Sequence, residues 1–156
     1  MNNSFNTVGM QNEIGMTGIS NSMSMVGMSN GLHVAGATSQ ISVTGDSSSV
    51  SVTGAEDGVS VTGLSDRITV VASATNIGVT GESTRVNVIG SSTGVNVTGE
   101  ATDINVTGEA TTVRLTGDST TVDMTGESLA ISMSGNQTTV SITGQNVQIT
   151  EINIVL

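Results

Sequence analysis

Glycine returns at one fixed interval along almost the whole of this chain. It stands at Gly9, Gly18, Gly27, Gly36, Gly45, Gly54 and Gly63, and again from Gly81 and Gly90 through Gly99, Gly108, Gly117, Gly126, Gly135 and Gly144. Every step is nine residues or eighteen, and Ala72 holds the one place that glycine skips. A short period kept without insertion over 156 residues marks a repeat architecture, in which each unit packs only on its neighbours. Such a chain folds by stacking and grows into something elongated.

Aligned on the glycine, the repeat reads glycine, acid, small, threonine, variable, apolar, variable, apolar, threonine. The position four before the glycine place is apolar in about seventeen repeats, from Phe5 and Ile14 through Val50, Val59, Ile68, Val86 and Ile104 to Ile149. Two residues later stand Val34, Val52, Val70, Val88, Val106 and their equivalents, with Thr7 and Glu151 as the terminal departures. An apolar-x-apolar triplet rich in β-branched residues predicts a short strand with one buried face. The residue between is polar, as in Ser51, Asn87, Asn96, Arg114 and Asp123, and is assigned to the outward face. Glycine supplies the backbone freedom for the turn that follows. Small residues two places on (Ser47, Ala74, Ser83, Ala101, Ala110, Ser119) suit a tight corner, and no helical period occurs.

The fold class is therefore all-β, a β-solenoid of about seventeen nine-residue repeats. Two windings fit the period: two repeats of one chain closing a coil of eighteen residues, or three chains intertwined as a trimeric β-helix. The first is favoured by Arg67, Arg85 and Asp103, which alternate with Gly58, Asn76 and Gly94 five residues before the glycine place, as two unlike faces require. The organisation divides into degenerate methionine-rich repeats over residues 1–35 (a cap or docking end), a regular solenoid over 36–144, and a capping or pairing strand over 145–156. In that last segment Ile152, Ile154 and Leu156 shift the apolar phase.

Composition narrows the function. There is no Trp, Tyr, Cys or Pro, and Phe5 is the one aromatic residue, so the core is thin and no disulfide or thiolate metal site exists. Thirteen acids against Arg67, Arg85 and Arg114 leave a net charge of −10, which disfavours nucleic acid and anionic membrane. No apolar run reaches the length of a membrane span. The first ten residues lack the basic start and apolar run of a Sec signal peptide, which favours a virion or intracellular assembly over Sec secretion.

Catalytic chemistry finds no set of residues to work with. His33 is the only histidine and falls in an outward column, so no nucleophile, base and acid can be grouped around it. No catalytic residue, cofactor or cofactor site is expected. Among the acids that follow glycine, Glu82, Glu100 and Asp118 are the candidates for a cation, since hard cations take carboxylate oxygens. The period resembles that of the calcium-binding toxin repeats, but those place Asp where this chain has valine or isoleucine. No metal is therefore assigned, and the acids read as a solvated edge.

The threonine before the glycine forms the candidate binding face: Thr44, Thr53, Thr62, Thr80, Thr98, Thr107, Thr116, Thr125 and Thr143. With Ser42-Val43-Thr44 and Asn96-Val97-Thr98, two ranks of short polar side chains point outward. This pattern is similar to that of insect and grass ice-binding solenoids, which implies recognition of ice or another repetitive surface. The column also reads as a ladder of good β-formers. Val50-Ser51-Val52 and Val95-Asn96-Val97 resemble the shaft repeats of phage and type VI secretion spikes, although those use octads where this chain has nonads. That resemblance implies a non-enzymatic rod that self-associates as a spike, fibre or filament. The ice- or surface-binding protein is the alternative, and an exported adhesin or matrix repeat is a second one. The expected partner is the chain itself.

Overall fold

The computed structural model describes residues 3–19, 21–37, 40–55, 58–64, 66–73, 75–82, 84–91, 93–100, 102–109, 111–118, 121–127, 129–135 and 139–152. Ala74, Ser83, Ala101, Ala110 and Ser119 of the expected corners, and Ile154 and Leu156, lie outside them. Among the described residues all regular structure is strand. One parallel sheet holds the nine odd-numbered strands: β1 (Asn3–Val8), β3 (Asn21–Val26), β5 (Gln40–Thr44), β7 (Gly58–Leu64), β9 (Asn76–Glu82), β11 (Gly94–Thr98), β13 (Thr112–Thr116), β15 (Ala130–Ser134) and β17 (Gln148–Ile152). The other holds the eight even-numbered ones: β2 (Glu13–Ile19), β4 (Gly31–Ala37), β6 (Ser49–Ala55), β8 (Arg67–Ser73), β10 (Arg85–Ser91), β12 (Asp103–Glu109), β14 (Thr121–Glu127) and β16 (Thr139–Gln145).

Each strand pairs with the strand two further along the chain, and every partner lies eighteen residues away, as in Val59↔Ile77 and Val86↔Ile104. One chain thus closes its own coil with two nonapeptides, one in each sheet. The alternation of charged and turn-prone residues pointed to this winding, and the trimeric alternative is not the arrangement adopted. Arg67, Arg85 and Asp103 stack on the eight-stranded sheet, while Gly58, Asn76 and Gly94 stack on the nine-stranded one.

Side-chain alternation builds the core. In β12, Ile104 and Val106 are buried while Asp103, Asn105 and Thr107 face solvent. Repeated on both sheets, these inward pairs merge into one apolar cluster running from Met23 to Met133. The interior is a narrow seam dominated by valine and isoleucine, which explains how the core does without aromatic residues. The methionine-rich repeats form paired strands like the rest, and Met23 and Met25 take core places. Met10 and Met28 are exposed.

Candidate functional site

The eighteen-residue winding sorts the threonine column into two unequal halves. All nine threonines are exposed. Thr44, Thr62, Thr80, Thr98 and Thr116 occupy five successive strands of the nine-stranded sheet, in direct register from one strand to the next. Neighbouring rungs stand about 4.8 Å apart. Thr53, Thr107, Thr125 and Thr143 lie on the other sheet, where Ala35, Val71 and Ile89 interrupt the column.

The two faces differ in charge as well. Up to the threonine place of each strand from β3 to β11, the outward positions of the nine-stranded sheet carry only Ser, Thr, Asn, Gln, Gly and Val. Past it, exposed Leu64 and Glu82 end β7 and β9, and Arg114 on β13 is the first charge within the ranks themselves. A shallow trough of about 480 Å³ crosses this face beside Gln40, Gly58, Asn76 and Gly78. The Gln40 amide leans over the bare Gly58 backbone there, its Nε2 3.5 Å from the point where a Cβ on Gly58 would sit. The eight-stranded face carries Glu13, His33, Arg67, Arg85, Asp103 and Asp123. There Arg85 donates to Asp103 Oδ2 at 3.3 Å across one rung, with both side chains largely in water.

Glu82, Glu100 and Asp118 are exposed on successive coils of one corner, each beside its stacked glycine. Among the described residues no three His, Cys, Asp or Glu side chains converge as a cation would need. A carboxylate at this position has a structural use: Asp46 Oδ1 accepts the Leu64 N–H of the next coil at 3.3 Å. His33 is exposed on β4 between Gly15 and Ser51. No helix of the described residues is long and apolar enough to cross a membrane.

The corners hold residues to which the repeat pattern assigned no role. The residue three past the glycine is buried on coil after coil: Asn30, Ser48, Asp66, Thr84 and Thr102 along one corner, Thr75, Thr93 and Thr111 along the other. Between glycine and this residue the chain turns sharply, and at Gln11, Ser29, Ser47 and Asn146 the residue two past the glycine is left-handed, with φ of 55–58°. The glycines themselves are fixed by contact. A Cβ on Gly45 would lie 1.4 Å from the Gly27 carbonyl oxygen, so the backbone of one coil rests where a side chain would stand. Asn12 Nδ2 donates to Asn30 Oδ1 at 3.3 Å, and the Ser48 N–H donates to Asp66 Oδ1 at 2.8 Å. Burial, with a smaller push from Asp46, raises the Asp66 carboxyl above the ordinary value of 3.8 in spite of that Ser48 bond.

These features define a two-faced, parallel β-solenoid of eighteen residues per coil. No protein-family profile matches the chain, and no curated protein is significantly similar to it. A search of solved structures returns the crystal structure of "a putative glycosyl hydrolase from Parabacteroides merdae ATCC 43184", at 10% sequence identity over 85% of this chain and 83% of that one. At a TM-score of 0.26 the superposition bears on neither the fold nor the chemistry of this chain.

Proposed function

We propose that the chain is a non-enzymatic structural element, a rigid β-solenoid rod that associates with copies of itself as a building block of a spike, fibre or filament. The observation that carries this reading is the unbroken in-register pairing of both sheets, which makes the described chain one continuous stack over a single core. The outward ranks from β3 to β11, uncharged up to the threonine column and bordered by Glu82 and Glu100 at the corner, support association, because on a chain of net charge −10 they are where copies approach with least repulsion. Solution mass by light scattering, with electron microscopy of the same sample, tests it. Assemblies larger than one chain support self-association, and a single chain at every concentration removes it.

A second reading rests on a different observation. The five-threonine column from Thr44 to Thr116, flanked by the Ser42 and Ser60 rank, is a regular polar array suited to ice or another repetitive surface. Thermal hysteresis and ice-crystal shaping test it directly.

A further inference from the structure

Asp66 interrupts a buried corner column whose other described members are neutral hydrogen-bonding side chains, Asn30, Ser48, Thr84 and Thr102. The threonines at this place in the repeat show what a hydroxyl does there. Thr75, Thr84, Thr102 and Thr111 donate to the carbonyl oxygens of Ser73, Glu82, Glu100 and Glu109, each two residues back, at 3.4–3.5 Å. The bonds are long, and among the described residues the Thr93 and Ser48 hydroxyls at the same place make none, but the four that form share one kind of acceptor, the carbonyl two residues back. Asp66 stands in the same place and is 2% exposed. Its Oδ1 holds the Ser48 N–H, while among the described residues its Oδ2 has no partner. That Oδ2 lies 2.8 Å from the point where a Cβ on Gly63 would sit, much as Thr84 Oγ1 lies 3.1 Å from the equivalent point on Gly81.

An ionised carboxylate has no proton to donate, and a buried polar atom without a partner weakens the fold. We propose that Asp66 is a proton-operated fastener of the coil: a proton taken up on Oδ2 makes it a donor equivalent to the stacked threonines, with the Leu64 carbonyl two residues back as acceptor. That carbonyl accepts the Ser47 N–H at 2.7 Å and keeps a second lone pair for the new bond. The charged groups around the corner are Asp46 on the preceding coil, Glu82 on the following one, Arg67 next in the chain, and Arg85 and Asp103. The last three line a recess of about 220 Å³ with Ser48 and Asp66. Asp46 favours the protonated form and the two arginines oppose it. Burial of the carboxyl is the largest influence and raises its affinity for the proton, against the Ser48 N–H bond, which favours the ionised form. A buried acid with raised affinity binds more protons folded than unfolded, so the coil tightens as pH falls through the folded value and the gain is complete below 3.8. The proposal needs only the coil geometry and is independent of the role given to the rod.

The test compares urea unfolding of the full chain with that of Asp66→Thr, from about pH 7 down to about pH 4. Subtracting the variant cancels the titration of the other carboxylates. The original chain should lag the variant at neutral pH, and its midpoint should gain on the variant's as pH falls. A midpoint difference that stays constant with pH, or moves the other way, overturns the proposal. Should the variant fail to fold, the Ser48 amide proton of the unaltered chain, bonded to Asp66 Oδ1, reports by NMR. Its shift must titrate with a midpoint above 3.8, and a midpoint at or below that value overturns the proposal.

Discussion

Gly99 lies so close against Gly81, one coil earlier, that a Cβ on Gly99 would stand 1.6 Å from the Gly81 carbonyl oxygen. No side-chain rearrangement relieves such a clash, because both partners are backbone. Gly78, in the outward rank of β9, is the natural control, since a Cβ there meets nothing nearer than 4.0 Å. Gly99→Ala should therefore destabilise the chain by about 3 kcal/mol or more. Gly78→Ala should be neutral or stabilising by roughly 0.5 kcal/mol, since alanine loses less backbone entropy in a strand. Urea unfolding of the two variants side by side checks the contrast. Equal effects would mean that the glycine ladder is not held by contact.

The winding could be read from the sequence because side chains alternate strictly within a strand. Val50 and Val52 had to share a face, and the period of nine returned that pair on every half-coil. The unlike pairs Arg67 with Arg85 and Gly58 with Asn76 then separated two sheets. The corners could not be read this way, because a left-handed residue such as Ser47 breaks the alternation and resets which side the next residue faces. Ser48, Asp66 and Thr84 therefore gave no periodic sign of being buried. The trace they did leave is their shortness, although Leu129 takes the same place in the other corner and is buried as well. The split of the threonine column into a continuous and an interrupted half became visible only with the eighteen-residue register in hand.

Val52, Val70 and Val88 stack in register on the inner side of the eight-stranded sheet, each about 1% exposed or less. Truncating any one to alanine removes two methyl groups packed against the facing sheet and the two neighbouring rungs. The loss should be about 2 kcal/mol per site. The triple variant should lose less or more than the sum, since adjacent cavities share their walls. Unfolding midpoints of the single and triple variants measure this. Unchanged stability would overturn the core assignment.

The ion pair between Arg85 and Asp103 should matter little. Its members are 60% and 58% exposed, so water screens the attraction and the long side chains give up entropy to hold it. Arg85→Gln should change stability by less than about 1 kcal/mol, and added salt should erase the difference. A larger loss would show that Arg85 restrains its neighbour Arg67 or the adjoining corner.

The surface-binding reading separates from the rod reading by face. Thr80 sits in the middle of the continuous threonine column, whereas Thr107 lies on the charged sheet beside Ile89. A lysine at either place projects into solvent and leaves the core untouched. If the flat column binds ice, Thr80→Lys should abolish crystal shaping and Thr107→Lys should leave it intact. The same pair should be run through light scattering with small-angle scattering. A single chain of 15.6 kDa should appear as a rod roughly 40 Å long, from about 4.8 Å per rung. Larger species lost in Thr80→Lys and kept in Thr107→Lys would place self-association on the face of the continuous threonine column. Larger species kept in both variants would exclude that face and direct attention to the other sheet and to the ends of the stack.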